Sequence, residues 1–194
     1  MIFSLLTVAF SALAQSGAPV AAPSPAKPPA PVIAQPGTLR AGAVAKIVDG
    51  AGKTIGGAYF YEGPSGVLLR IEASGLKPGW HGMHLHEKGA CEGPGFQSAG
   101  AHINPGKKPH GLLHPQGPDA GDLPSFYVET SGLGRGSLFS PLVSLRGAGG
   151  RPALLDADGS TLVIHAAPDD QSTQPIGGSG DRVACGVIKA PAAK

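Results

Sequence analysis

The sequence has 194 residues, a length that suits one globular domain with an appendage. Its formal net charge is only +2, and it contains no basic run interleaved with aromatic residues, so nucleic-acid binding is not expected. Its 31 glycines and 20 prolines are typical either of low-complexity sequence or of an all-β protein with many turns.

The N-terminal residues 1–14 form an apolar run that ends in Ala12-Leu13-Ala14. This pattern predicts a secretory signal peptide with an A-x-A cleavage site before Gln15. The run lacks a basic residue near Met1, so an uncleaved membrane anchor is the alternative, although a bilayer-spanning helix needs about 20 residues. No other stretch is long and apolar enough to span a membrane, so stable insertion after signal cleavage is not expected.

The organisation of the rest of the chain follows from where its prolines and glycines lie. Residues 15–37 are rich in proline and alanine without periodicity, which predicts a semi-extended linker. Residues 38–190 form the predicted folded domain, and residues 191–194 form a short tail. Beyond residue 16 no segment free of glycine and proline exceeds eight residues, whereas an average helix has about 11 to 12.

Short apolar runs therefore predict strands rather than helices. They are rich in Val, Ile, Leu and aromatic residues and are separated by turn signals. The eight predicted strands cover residues 43–48, 58–62, 67–74, 83–87, 126–130, 138–145, 161–166 and 182–189. This pattern predicts an all-β fold, an eight-stranded Greek-key β-sandwich or barrel (immunoglobulin-like) with two long functional loops at residues 88–125 and 167–181.

The seven histidines all lie between residues 81 and 165. In a strand, His84 and His86 point to the same side, with Cα atoms roughly 7 Å apart, so two imidazoles can chelate one metal ion. Two surface histidines are the alternative for this pair alone. Since further histidines lie in or beside the two long loops, the clustering favours a metal site.

The two cysteines, Cys91 and Cys185, allow one disulfide bond. An even count in an exported chain favours such a bond, and two buried thiols are the alternative.

Six strings of the sequence carry a family resemblance. They are "GMHLHE", "GACEG", "SAGAHINP", "HGLLHPQGPDAGDLP", "LVIHAAPDD" and "GSGDRVACGVI". In this order and spacing they resemble the signatures of the copper/zinc superoxide dismutase family, particularly its exported bacterial branch. The resemblance runs from about residue 38 to residue 190.

The resemblance implies two neighbouring metal sites. The implied copper ligands are His84, His86, His102 and His165. His102 would bridge copper and zinc as an imidazolate, with His110 and Asp122 as further zinc ligands. Where the family has its remaining histidine this chain has Asp119, whose carboxylate can bind zinc at about 2.0 to 2.2 Å. His114 is an alternative ligand, and a copper-only site is the alternative to bound zinc.

The resemblance also implies roles for residues around the metals. Asp169 would link His84 to His110 and fix the orientation of both rings. Arg182 would attract a small anion at the mouth of the copper site. Cys91 and Cys185 would form the disulfide that ties the first long loop to the last strand. His81 matches no ligand and is interpreted as a loop residue beside the site.

The implied activity is superoxide dismutation, in which an anionic substrate is converted to dioxygen and hydrogen peroxide. His102 and Arg182 would be the catalytic residues, with copper and zinc as cofactors and superoxide as substrate. A non-enzymatic copper-binding or copper-delivery module of the same fold is the alternative. The predicted location is the periplasm or another exported site in the bacterial cell envelope. The sequence leaves the oligomeric state open, with a homodimer as one candidate.

Overall fold

The structure of the chain is a computed structural model that describes residues 40–192. The expected signal peptide (1–14) and linker (15–37) lie outside these described residues. Within residues 40–192, no helix is long and apolar enough to cross a membrane.

The described residues form an antiparallel β-structure with two 3₁₀ turns. The 3₁₀ turns are Gln97–Ala99 and Ala148–Gly150. The strands are β1 (Ala43–Asp49), β2 (Thr54–Gly63), β3 (Gly66–Ser74), β4 (Gly79–His81), β5 (Met83–His86), β6 (Phe126–Val128), β7 (Leu133–Ser140), β8 (Ser160–His165) and β9 (Arg182–Lys189).

These strands form one sheet that curls into a nearly closed barrel. Their order is β4-β6-β7-β3-β2-β1-β9-β8-β5. The two end strands, β4 and β5, are separated in sequence only by Gly82, so the chain itself brings the two ends of the sheet together. The predicted all-β class is confirmed, with nine strands in place of eight because residues 79–81 pair with β6 as a separate strand.

Glycines explain why two strands begin earlier than predicted. β2 begins at Thr54 rather than at residue 58, and β7 covers 133–140 rather than 138–145. Both segments contain glycines, which weakened the strand signal. The barrel needs them, since a Cβ on Gly56 would lie 2.0 Å from Glu72 O and one on Gly134 would lie 2.6 Å from the Phe126 ring.

Apolar side chains fill the barrel interior. Along β1, Ala43, Ala45 and Ile47 point inward and are at most 3% exposed, which is the alternation expected of a strand with one buried face. Phe60 and Phe126 are among the largest buried side chains of this core. The strands β5, β8 and β9 contribute side chains to this core, and they also carry the residues of a polar site.

Candidate metal centre

The last strand of the sheet, β5, carries His84 and His86. Both side chains are almost fully buried, at 0% and 1% exposure, and so are the alternating Met83 and Leu85, which belong to the barrel core. One edge of β5 pairs with β8. Since β8 pairs with only one edge of β5, another segment must cover the other edge and complete the burial of the two histidines.

The long loop after β5 covers that other edge. Leu85 N–H donates to Gly121 O (2.8 Å), and Ile103 N–H donates to Leu85 O (2.9 Å). A Cβ on Gly121 would lie only 2.4 Å from Leu85 O, so only glycine permits this close approach. The return of the loop places His102 opposite His86 and Asp122 opposite His84 in isolated β-bridges.

The strands β8 and β9 supply two more site residues. His165 ends β8 and pairs with Arg182 at the start of β9, where the register of the two strands shifts. Such a shift changes the direction of the strand locally and can re-aim side chains. His165 is 1% exposed, and its ring centroid lies 4.7 Å from that of His84.

Four imidazoles thus form a first cluster, comprising His84, His86, His102 and His165. In each ring one nitrogen has a partner: Asp169 Oδ2 at 2.7 Å for His84, Gly100 O at 3.0 Å for His86, Asp119 Oδ2 at 2.9 Å for His102 and Gly180 O at 2.9 Å for His165. The other nitrogen of every ring is buried and has no hydrogen-bond partner among the described residues: Nδ1 of His84 and Nε2 of the other three. Buried polar atoms are rarely left without partners, so four together indicate a binding site for a metal ion.

Burial keeps three rings of the first cluster neutral, those of His84, His86 and His165. Burial lowers the pKa of His84 and of His165 to about 4, and that of His86 to about 2. A neutral imidazole is the form that binds a metal ion. These three rings are therefore uncharged nitrogen donors at neutral pH.

A second cluster lies on the other side of His102. It comprises His102, His110, Asp119 and Asp122, which are all buried, and one ligand atom of each lies within 4.8 Å of those of the others. His110 Nδ1 and Asp122 Oδ1 lie 2.5 Å apart without hydrogen-bond geometry. Both atoms are buried and lack a hydrogen-bond partner among the described residues, so they are available to a shared ion, and a two-histidine, two-carboxylate set suits zinc.

Asp169 connects the two clusters. Its Oδ2 lies 2.7 Å from His84 Nε2 and its Oδ1 lies 3.1 Å from His110 Nε2. Although burial opposes a charged carboxylate, the hydrogen bonds from His110 and His84 hold the pKa of Asp169 well below its usual range. Asp169 therefore stays ionised and fixes the orientation of one ring in each cluster.

Arg182 stands beside the first cluster. Its Nη1 donates to Phe96 O (2.9 Å) and its Nη2 to Gly100 O (2.8 Å), so the first long loop holds the guanidinium in place. A cavity of about 550 Å³ opens here and is lined by His165, Arg182 and Ile176 among others. The disulfide Cys91–Cys185 ties the same loop to β9, as predicted.

Comparison with known proteins gives the family. A family model described as copper/zinc superoxide dismutase matches residues 54–188. The chain belongs to the copper/zinc superoxide dismutase family. This finding confirms the resemblance and, with it, copper and zinc as the cofactors, and the two clusters of the structure could hold metal ions.

Individual relatives agree with this copper/zinc superoxide dismutase assignment. The chain is 57% identical to a superoxide dismutase [Cu-Zn] from Caulobacter vibrioides over 148 residues, which cover 76% of this chain and 85% of the relative. A solved structure of a superoxide-dismutase-like protein from Bacillus subtilis has a TM-score of 0.70 and 38% identity, covering 74% of this chain and 96% of that one. A copper/zinc superoxide dismutase from Brucella abortus has a TM-score of 0.61 and 29% identity, covering 76% and 99%.

The sequence left Asp119 and His114 as alternative zinc ligands, and the structure shows where each of them lies. Asp119 lies in the second cluster, whereas His114 lies in neither cluster and accepts a hydrogen bond from the nearby Gln116 N–H.

The interpretation of His81 as a loop residue was wrong. His81 ends β4, is 3% exposed, and has both ring nitrogens near carbonyl oxygens, those of His165 (2.6 Å) and Lys77 (2.8 Å).

Sequence reasoning missed two residues that support the site from the second long loop. Gln174 forms hydrogen bonds with both backbone groups of His110: its Oε1 accepts from the N–H, and its Nε2 donates to the carbonyl oxygen, both at 2.9 Å. Gly177 has φ +61°, and a Cβ there would lie 1.6 Å from Asp169 Oδ1. The run of glycines at 177, 178 and 180 was the only sequence signal of such a close approach.

Proposed function

We propose that this chain is a superoxide dismutase that disproportionates superoxide at a copper held by the first cluster, with zinc in the second. The reaction joins two superoxide anions and two protons and yields dioxygen and hydrogen peroxide. The observation that carries the proposal is the group of four unpartnered, buried imidazole nitrogens beside Arg182. Copper bound there would supply one-electron oxidation and reduction, because both of its oxidation states accept imidazole ligands.

The proposed role of Arg182 is to attract and hold the substrate anion. Its guanidinium lines the cavity next to His165. A cation at the mouth of a narrow cleft raises the local concentration of anions and increases the association rate. The two carbonyl oxygens that bind Nη1 and Nη2 restrict the guanidinium to one position, so the anion is held next to the first cluster.

The proposed role of His102 is to carry a proton as well as to bind both metals. Its Nε2 belongs to the first cluster and its Nδ1 faces the carboxylates of the second, 2.9 Å from Asp119 Oδ2 and 3.7 Å from Asp122 Oδ1. With Nδ1 held on this side, Nε2 is the atom that can take up a proton and give it to the bound anion.

The proposed second site uses His102, His110, Asp119 and Asp122 as its four ligands. Asp119 Oδ1 accepts from Gly121 N–H (2.8 Å), which leaves Oδ2 to face His102. Asp122 Oδ2 accepts from the N–H groups of Gly111 (2.7 Å) and Asp119 (3.0 Å), which leaves Oδ1 to face His110. Backbone amides thus orient both carboxylates. The Asp119 side chain, although shorter than the histidine that the family has at this position, therefore reaches the second cluster, and His114 is not needed as a ligand.

We also propose that the chain is exported and that residues 1–14 are removed as a signal peptide before the linker at 15–37 and the domain at 38–190. The Cys91–Cys185 disulfide supports this location, because such bonds persist in oxidising compartments. Mass spectrometry of the protein from a periplasmic fraction tests it: a mature chain that begins at Gln15 is expected, and an intact N-terminus would contradict the cleavage.

Rapid kinetics test the proposed function. The metal-free full chain, the chain loaded with copper, and the chain loaded with copper and zinc are mixed with superoxide, and its decay is followed. Decay that accelerates in proportion to bound copper is expected. Copper binding at one ion per chain without faster decay would instead favour the copper-binding or copper-delivery module.

A further inference from the structure

Two side chains of opposite charge line the cavity beside the first cluster. Arg182 begins β9, Asp181 immediately precedes it, and both line this cavity together with His165. The remaining lining residues are glycines, a proline, a glutamine, an isoleucine and a valine, which carry no charge. Burial keeps the His165 ring neutral. The guanidinium therefore does not act alone on an anion that enters the cavity.

The backbone holds Asp181 at this position. Ala166 N–H donates to Asp181 O (2.8 Å), and the carbonyl oxygen of the preceding Gly180 lies 2.9 Å from His165 Nδ1. The Asp181 side chain is exposed, and no lysine, arginine or histidine among residues 40–192 forms an ion pair with it. Its negative charge is therefore not neutralised by a partner and acts on an anion that approaches Arg182.

The charge of an anion determines how strongly each of these two side chains acts on it. Coulomb energy is proportional to the product of the charges, so Arg182 alone would attract a doubly charged anion such as sulfate about twice as strongly as a singly charged one. Such an anion would compete for the guanidinium with superoxide, which carries a single charge. Asp181 repels both kinds of anion in the same proportion, so it removes more of the attraction for the doubly charged one.

We propose that Asp181 determines the specificity of this cavity: it disfavours doubly charged anions and so keeps Arg182 available to singly charged ones such as superoxide. The inference rests on the proposed function of Arg182. For unit charges about 4 to 8 Å apart in water, one charge changes an equilibrium constant by a factor of about 2 to 5. Removing the charge of Asp181 should therefore tighten the binding of a singly charged anion by about 2- to 5-fold, and that of a doubly charged anion by the square of that factor, about 4- to 25-fold.

Anion titrations of the full chain test this specificity without any measurement of activity. Nitrate serves as the singly charged probe and sulfate as the doubly charged one, and NMR follows the Arg182 Nε–H signal at constant ionic strength. Asp181→Asn is expected to bind sulfate more tightly than the wild type by the square of the factor found for nitrate. Asp181→Ser also removes the charge and should give the same result if Asp181→Asn fails to fold, whereas Asp181→Glu keeps the charge and should match the wild type.

The control variant is Asp156→Asn, which removes an exposed carboxylate that does not line the cavity and should leave both affinities unchanged. Equal factors for nitrate and sulfate in Asp181→Asn, or no change in either affinity, would overturn the inference. An Arg182 signal that responds to neither anion in any variant would overturn it too. Absence of superoxide decay with the copper-loaded wild-type chain would overturn the proposed function itself, which is a separate result.

Discussion

His165 and Arg182 face each other across β8 and β9 at the point where the register of these strands shifts. The pairing puts the His165 imidazole of the first cluster and the Arg182 guanidinium on adjacent strands. Arg182 is fixed from the other side by Phe96 O and Gly100 O of the first long loop. The position of the charge relative to the first cluster is therefore set by two strands and one loop together.

Reversing the charge of Arg182 is expected to slow the reaction. In Arg182→Glu a negative side chain repels superoxide, so the rate at low ionic strength should fall by well over tenfold, with copper still bound. Superoxide decay and copper content are measured on the same sample. Arg135→Glu is the matched control, because Arg135 is an exposed residue paired with Glu72 outside the clusters. Unchanged kinetics in Arg182→Glu would refute the proposed role of Arg182.

Removing the charge of Asp169 is expected to weaken metal binding. The amide that Asp169→Asn introduces can accept through only one atom, so either His84 or His110 loses its hydrogen bond. Loss of such a supporting partner typically lowers metal affinity by about 10- to 100-fold. Competition with a chelator measures the affinities for copper and zinc. Asp170→Asn at the neighbouring exposed carboxylate should leave both affinities unchanged, and equal affinities in the two variants would contradict the role of Asp169.

Removing the disulfide is expected to destabilise the chain. Cys91 and Cys185 are 94 residues apart in sequence, and cross-linking so long a loop restricts the unfolded chain. The free energy of unfolding of the Cys91→Ala, Cys185→Ala double variant should fall by about 2 to 5 kcal/mol. Urea denaturation of the metal-free proteins measures this difference. A decrease below about 0.5 kcal/mol would show that loop packing alone holds the segment, because that is the range of ordinary surface substitutions.

The stability of the metal-free chain should fall on acidification. Histidines in the unfolded chain titrate near pH 6.5, whereas burial lowers the pKa of His84 and His165 to about 4 and of His86 to about 2. Between about pH 6.5 and 4 the unfolded state therefore binds protons that the folded state does not, and the free energy of unfolding decreases as the pH falls. Urea midpoints measured across this range give the slope, and a flat profile would contradict it.

The stability of the metal-free chain should also fall at alkaline pH. Although burial opposes its charged form, the carboxylates of Asp122 and Asp169 raise the pKa of His110 to about 10. The folded metal-free chain therefore keeps a proton that the unfolded chain loses above about pH 6.5, so stability decreases as the pH rises towards 10. Asp122→Asn should reduce this alkaline slope, and an equal slope in both proteins would contradict the role of Asp122.

The sequence predicted the all-β class because glycine and proline leave no room for an ordinary helix and the apolar runs have strand length. It misplaced β2 and β7 because propensity counts glycine against a strand, whereas here Gly56 and Gly134 are needed for close contact with neighbouring strands. Such requirements depend on which strand lies alongside, and only the tertiary structure supplies that information.

The candidate site was predictable to the extent that residue types identify ligands. Histidine clustering and the family resemblance led to both sets of candidate ligands. They left Asp119 and His114 as rivals, because the choice depends on the path of the loop over β5 and on the amide of Gly121. The role of Gln174 was not predicted for a similar reason: it supports the site through hydrogen bonds to the backbone of His110 and not as a ligand or a reactive group.

The central claim is that His102 joins two metal ions, one in each cluster, and anomalous diffraction at the copper and zinc absorption edges tests it most directly. Crystals of the metal-loaded chain should give a copper peak among His84, His86, His102 and His165, and a zinc peak among His102, His110, Asp119 and Asp122. A zinc peak away from Asp119, or a single metal peak that leaves one face of His102 without an ion, would contradict this claim.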